Sequence, residues 1–232
     1  MGKKVLAVDI DGTITLNGWG TIHLGALKKL RQLNDNGHKI ILVTGRSSVE
    51  GYLLSVFGGL THLAVGENGG CITYDDLMKH KTIGNKAQCI QALAFLQNRV
   101  DGDIKEKQVF PRMTEVVLER TFDIIKAQKV LDDEGLDVSL FDSGYAFHIN
   151  SNGVDKGTGF LEALKMLDCK IDDTIAIGDS ETDMLAAHNA GIPGICVTYG
   201  YCHVPYEDLN AKCLLSNFFD LPKALDAMQI AN

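Results

Sequence analysis

The chain has 232 residues, 45% of them hydrophobic, and a formal net charge of −8. That length fits one large domain or a core carrying a smaller insert, with apolar content enough for a sizeable interior. The acidic balance and the lack of any Lys/Arg-rich run exclude nonspecific nucleic-acid binding and attraction to anionic membranes, so an anionic substrate needs positive charge supplied locally.

The first element is the run Val5-Leu6-Ala7-Val8, continuous rather than alternating, which predicts a strand covered on both faces as in a parallel sheet. It ends in Asp9-Ile10-Asp11-Gly12-Thr13. Two carboxylates two apart on extended chain project to one side, and such a pair calls for a cation or a proton; Mg2+ suits hard oxygen ligands. Asp11-Gly12 also reads as a hairpin turn. A calcium loop counted from Asp9 fails, because Ile14 and Gly20 stand where Gly and Glu are required.

Leu24, Leu27, Leu30 and Leu33 predict an amphipathic helix stopped at Asn36-Gly37, and Lys39 to Val43 a second buried strand ending in Thr44-Gly45-Arg46. A helix over 49–57, a strand over 62–65 and the turn Gly66-Glu67-Asn68-Gly69-Gly70 follow, a rhythm of βαβ units. From about Tyr74 the pattern changes. Helices over 86–100 and 123–134 accompany strands over 115–120, 137–141 and 145–150, which suggests a small α+β insert. The core rhythm returns with a helix from Lys156 to Leu167, a strand over 174–177 and Gly178-Asp179-Ser180-Glu181-Thr182-Asp183 opening a helix to Ala190. Strands over 195–198 and 213–215 and a helix over 218–228 complete the chain.

Asp9 and Asp11 thus lie at one strand end, Thr44 at a second and Asp179 with Asp183 at a third, while Lys156 opens a helix. Singly each has a dull explanation in caps and exposed helix residues; together they describe phosphoryl transfer. A carboxylate can attack a phosphate ester only if a cation screens both, Lys156 and the Thr44 hydroxyl can bind the non-bridging oxygens, and Asp11 can serve as acid and then base. No P-loop and no His-Glu-x-x-His is present, and Gly178 to Thr182 lacks the closing Gly of a serine nucleophile elbow.

These residues, in this order, resemble the haloacid dehalogenase superfamily of phosphohydrolases. The resemblance implies a Rossmann-like three-layer α/β/α core, residues 1–74 and 156–232, with an inserted α+β cap over 75–155. It implies Asp9 as nucleophile, Asp11 as acid/base with its main-chain carbonyl on Mg2+, Asp179 and Asp183 completing or supporting the metal site, and Thr44, Gly45 and Lys156 around the phosphate. Cap size places the chain with the Cof-like and sucrose-phosphatase-like branch. Within that branch Gly66 to Gly70, Pro111-Arg112 and Asp142 to His148 look most like archaeal-type phosphoglycolate phosphatases. Thr182 and Arg46 stand where relatives often carry Asn.

The expected substrate is therefore a small phosphate ester, 2-phosphoglycolate first, with Arg112 binding its carboxylate bidentately and His148 adding a hydrogen bond. A sugar-phosphate phosphatase is the alternative, and a non-catalytic phospholigand-binding module the alternative of another class. Segments near Tyr74 and Ser151-Asn152-Gly153 are expected as cap hinges. Six scattered cysteines without a Cys-x-x-Cys pair indicate reduced thiols in a cytoplasmic protein. No nucleic-acid or membrane partner is expected, Leu6 argues against myristoylation at Gly2, and the assembly is expected to be a monomer or homodimer.

Overall fold

A computed structural model describes residues 3–16 and 20–230; Gly2 lies outside them. In chain order the elements are β1 (Val5–Val8), β2 (Thr15–Leu16), β3 (Thr21–Ile22), α1 (Leu24–Asp35), β4 (Lys39–Val43), α2 (Ser48–Gly58) and β5 (Leu63–Gly66). Next come β6 (Cys71–Tyr74), β7 (Lys79–Thr82), α3 (Lys86–Arg99), β8 (Val116–Leu118), α4 (Ile124–Asp133), β9 (Val138–Asp142) and β10 (Phe147–Ser151). The chain closes with α5 (Lys156–Met166), β11 (Thr174–Gly178), α6 (Glu181–Asn189), β12 (Gly194–Val197), β13 (Cys213–Leu215) and α7 (Leu221–Ile230).

The large sheet has the order β13-β12-β11-β1-β4-β5-β6-β7. Its first six strands run parallel, and β6 and β7 add on antiparallel. The unbroken apolar run of β1 has its reason in two cores. Leu6 and Val8 pack with Leu30, Tyr52 and Leu225 on one face, Val5 and Ala7 with Phe160, Leu164 and Ala187 on the other. Helices α1, α2 and α7 therefore cover one side of the sheet, α5 and α6 the other, giving the three-layer α/β fold.

The large sheet continues past residue 74 to Thr82, because β6 and β7 pair with it. Nothing in Lys79-His80-Lys81-Thr82 announces a strand; all four are exposed. Tyr74, expected near a hinge, accordingly sits inside a strand, and the chain leaves the sheet at Ile83–Gly84. A third core, drawn from residues 89–149, lies between α3 and α4 and one face of the antiparallel sheet β8-β10-β9. The outgoing and returning segments are tied where they cross: the Asn85 amide donates to Ser151 Oγ at 2.7 Å.

Helix α1 buries Ala26, Leu30 and Leu33 and leaves Leu24 76% exposed. A spacing of three slips around a helix of 3.6 residues per turn, so Ala26, Leu30 and Leu33 are buried, Leu27 packs partly against the same core and Leu24 turns outward. Leu30→Ala is expected to remove about 2–5 kcal/mol in urea unfolding. Leu24→Ala should stay within about 0.5 kcal/mol of the parent.

Candidate active site

The chain runs from β1 outward through β4 and β5, then returns to build β11, β12 and β13 on the other side of β1. That reversal opens a crevice beyond the carboxyl ends of β1, β4 and β11, and the residues following these strands are Asp9, Thr44 and Asp179. Asp9, Asp179 and Asp183, all buried, each place a carboxylate oxygen within 4.8 Å of the others. The backbone turns sharply to allow this. Gly12 has φ +81°, and a Cβ there would lie 2.1 Å from Asp179 Oδ2.

Lys156 is held by the start of α5, where Asp155 and Thr158 form a capping box. Its ammonium donates to Asp9 Oδ1 at 2.8 Å and to Asp183 Oδ1 at 2.7 Å. Thr13 Oγ1 lies 3.3 Å from Asp9 Oδ2 and 3.2 Å from Asp179 Oδ1. Asp179 Oδ2 accepts the Tyr201 amide at 2.6 Å. Asp183 Oδ2 accepts Ser180 Oγ at 2.6 Å and the amides of Ser180 and Asp179 at 3.2 and 3.3 Å. With one oxygen saturated and the other on Lys156, Asp183 orients its neighbours.

Burial pushes the Asp9 carboxyl well above the usual range against the pull of Lys156. Burial and the nearby Asp183 raise Asp179 to about 6. Burial also opposes charge on Asp183, yet Lys156 and Ser180 hold it below its ordinary value. Burial disfavours the Lys156 ammonium, but Asp183 and Asp9 outweigh it and raise its affinity for the proton. Three buried carboxylates against one ammonium leave an excess of negative charge in oxygen ligands, and the donor set fits a hard divalent cation such as Mg2+.

The Asp11 side chain departs from the expectation that it shares a side with Asp9. Regular strand ends at Val8 and residues 11–14 form a turn, so the two-residue alternation no longer applies. The Asp11 carboxylate is clamped by Arg46, with Nε to Oδ2 at 2.7 Å and Nη2 to Oδ1 at 2.8 Å, and Arg46 also reaches Glu50 at 3.3 Å. Arg46 is correspondingly harder to deprotonate, first through its hydrogen bond to Asp11. Thr44 is fully buried, and its hydroxyl oxygen accepts the Arg46 amide at 3.0 Å, leaving its proton to donate. Gly45 packs against Asn68 Oδ1, which a Cβ on Gly45 would approach to 3.0 Å.

A second buried polar group sits on the insert. Glu115 Oε2 accepts Asn68 Nδ2 at 3.1 Å and lies 3.0 Å from His148 Nδ1, while His148 Nε2 meets Ser143 Oγ at 3.0 Å. Both ring nitrogens of His148 are thus engaged inside this group, where the sequence suggested a hydrogen bond to substrate. The Arg112 side chain is only 9% exposed, and its Nε lies 3.4 Å from Glu115 Oε1. The pair is a charge attraction without hydrogen-bond alignment, and among the described residues Arg112 Nε and Nη1 and Glu115 Oε1 have no hydrogen-bond partner.

Residues the sequence did not single out for a role are Thr13, Ser180, Glu67, Asn68, Glu115 and Ser143. Their one readable signal was position: Thr13 and Ser180 sit inside the acidic motifs, and Glu67-Asn68 lies between glycines after a strand.

Family models described as haloacid dehalogenase-like hydrolase and HAD-hydrolase-like match residues 6–101 and 157–212. Phosphoglycolate phosphatase of Nitrosopumilus maritimus is 59% identical over 184 residues, 79% of each chain. The enzyme of that name from Methanosarcina mazei is 35% identical over 202 residues, 86% of this chain and 85% of that one. The crystal structure of Thermoplasma acidophilum 0175 superposes with a TM-score of 0.79 at 19% identity, over 98% of both chains. The HAD subclass IIB sugar phosphatase BT4131 superposes at 0.72 and 17% identity, over 98% of this chain and 100% of that one. At these identities both structures speak to fold alone.

Asp179→Asn removes one charge from the crowded acidic group. The variant is expected to melt a few degrees higher than the parent without metal. It should lose most of the further rise that saturating Mg2+ gives the parent, as read by thermal unfolding and titration calorimetry.

Proposed function

Because the chain belongs to the haloacid dehalogenase-like hydrolases and is a phosphoric monoester hydrolase, we propose that it converts 2-phosphoglycolate to glycolate and phosphate through an aspartyl-phosphate on Asp9. The observation that carries the substrate is Arg112, a buried guanidinium with donors not yet used, in a chain 59% identical to a phosphoglycolate phosphatase. Unpaired buried donors are costly, and a substrate carboxylate is the anion that planar fork fits bidentately.

The residues divide the work as follows. Asp9 and Asp179, with the Asp11 main-chain carbonyl that the family resemblance adds, would hold Mg2+, and Asp183 would complete or support that site. The cation supplies the positive charge that lets a carboxylate approach a phosphate ester. Asp9 forms a bond to phosphorus as the bond from phosphorus to the glycolate oxygen breaks. Lys156, the Thr44 hydroxyl and the backbone around Gly45 bind the non-bridging oxygens, where negative charge concentrates. Asp11, protonated once one bond of the Arg46 fork has opened, gives that proton to the departing glycolate oxygen. It then takes one from the water whose oxygen attacks phosphorus and frees Asp9. The Arg46 fork sets the direction from which Asp11 acts.

The inserted residues act as a cap whose open sheet face carries Glu115 and His148 on the side away from α3 and α4. Closure over the crevice would exclude water from the acyl phosphate. The six free cysteines suit a reducing, cytoplasmic setting. Among the described residues no helix is long and apolar enough to cross a membrane.

Phosphate release from p-nitrophenyl phosphate with Mg2+ is expected to fall at least about 10³-fold in Asp9→Asn; retained turnover would remove Asp9 from its role. On a panel of 2-phosphoglycolate, sucrose phosphate, mannosyl-3-phosphoglycerate and simple alkyl phosphates, 2-phosphoglycolate should lead. Arg112→Ala should raise its KM alone by roughly tenfold to a hundredfold. A sugar phosphate at the head of the panel would shift the substrate to that class, and binding without turnover of any ester would leave only a ligand-binding module.

A further inference from the structure

The turn that ends β5 touches both buried polar groups. Glu67 and Asn68 are buried, and both adopt left-handed backbone, with φ of 55° and 51°. For residues with a Cβ this region is strained, because Cβ crowds the following carbonyl oxygen. Glycines stand on either side at 66, 69 and 70, yet the two strained positions carry long polar side chains. Strain of this kind persists where the surroundings hold it and clusters at functional sites.

The side chains show what holds it. Glu67 Oε2 accepts three bonds from the insert: the Met113 amide at 2.8 Å, the Thr114 amide at 2.7 Å and Thr114 Oγ1 at 2.8 Å. Asn68 Nδ2 donates to Glu115, while Asn68 Oδ1 packs against Gly45. The backbone of the same two residues is bonded to the other side of the crevice, with Glu67 N to Arg46 O at 2.7 Å and Asn68 N to Thr44 O at 3.3 Å. Gly69 continues the contact: its φ is +101°, and a Cβ would lie 1.8 Å from the Asp155 carbonyl oxygen beside Lys156. None of the Glu67 or Asn68 hydrogen bonds goes to Asp9, Asp179 or Lys156.

We infer that Glu67 and Asn68 are positioning residues for substrate selection, a strained hub that fixes the Arg112–Glu115 segment at a set distance from the Thr44–Arg46 loop. Phosphate and leaving group are then measured against one rigid anchor, and the ester accepted is the one whose second anionic group reaches Arg112 when its phosphate lies at Thr44. Glu115 is the intermediary. Its Oε2 is fixed by Asn68 and His148, and its Oε1 faces Arg112, so a shift in Asn68 moves the charge beside the guanidinium. For its kinetic readout the inference rests on the 2-phosphoglycolate reading.

Asn68→Gly is the informative variant, since glycine accepts the left-handed backbone and keeps the amide that bonds Thr44. The full-length enzyme with Mg2+ is assayed on 2-phosphoglycolate and on ethyl phosphate, which lacks the carboxylate. The kcat/KM ratio between the two should fall at least about tenfold in the variant, chiefly through KM for 2-phosphoglycolate. Its Tm should equal or exceed that of the parent, which separates lost positioning from lost folding. An unchanged ratio overturns the role of Asn68. A parent enzyme that does not prefer 2-phosphoglycolate overturns the substrate reading instead, and the ratio with its preferred ester then tests Asn68 in the same way. Hydrogen exchange in Glu67→Gly gives a reading independent of substrate. The Met113 and Thr114 amides should exchange at least about tenfold faster than in the parent, and equal rates overturn the hub.

Discussion

One ammonium, that of Lys156, stands between Asp9 and Asp183 at 2.8 and 2.7 Å, and the crevice is arranged around it. Carboxylates this deeply buried cost several kcal/mol each unless paired and hydrogen-bonded. The chain answers with a cation at the start of α5, a serine cap that also bonds Asp183, and backbone amides aimed at Asp179 and Asp183. Those supports come from β1, β11, α5, α6 and the loop after β12, elements distant in sequence that the strand reversal beside β1 brings together. The compensation is incomplete, and the remaining negative charge is what the proposed divalent ion would neutralise.

The second polar group obeys the same rule by another route. Glu115 and His148 of the insert are buried with Asn68 of the turn after β5, the Arg112 side chain lies largely buried beside them, and the one carboxylate of Glu115 faces both Arg112 and His148, with a few donors and acceptors left over. A fully satisfied network would be scaffolding; the unused donors of Arg112 are what the proposed contact with a substrate carboxylate would satisfy. The protein thus carries two buried polar groups, one with an excess of negative charge and one with an incompletely bonded guanidinium, and the turn after β5 bonds to the second while its backbone holds the Thr44–Arg46 loop. On the proposed reading, phosphate chemistry belongs to the group around Lys156 and discrimination among esters to the group around Glu115.

Much of the first group was legible in the chain. Val5 to Val8, Lys39 to Val43 and Thr174 to Ile177 are continuous apolar runs ending in polar residues, and buried parallel strands deliver whatever follows them to one edge. What escaped were features set by tertiary contact. The strand Lys79 to Thr82 has no apolar residue to betray it, and it forms because β6 offers an open edge. Asp11 read as a twin of Asp9 until the strand was seen to end at Val8 and the backbone to turn from residue 11. Glu115 looked like one member of an alternating strand, and only the fold reveals that it lies beside His148 and Asn68, thirty-three and forty-seven positions away.

The late-arriving β7 also shapes how the molecule meets its own copies. It is the outermost strand of the large sheet, and the outer rim of any sheet is a row of open amides and carbonyls on which another polypeptide can align. Here that rim bears Lys79 and Lys81, exposed and paired with Asp75 and Glu162. A second molecule attempting to extend the sheet would bring like charges face to face and would have to strip both lysines of their water and partners. Eight strands are thus a stopping point, and association by sheet growth is discouraged at the edge from which the insert departs.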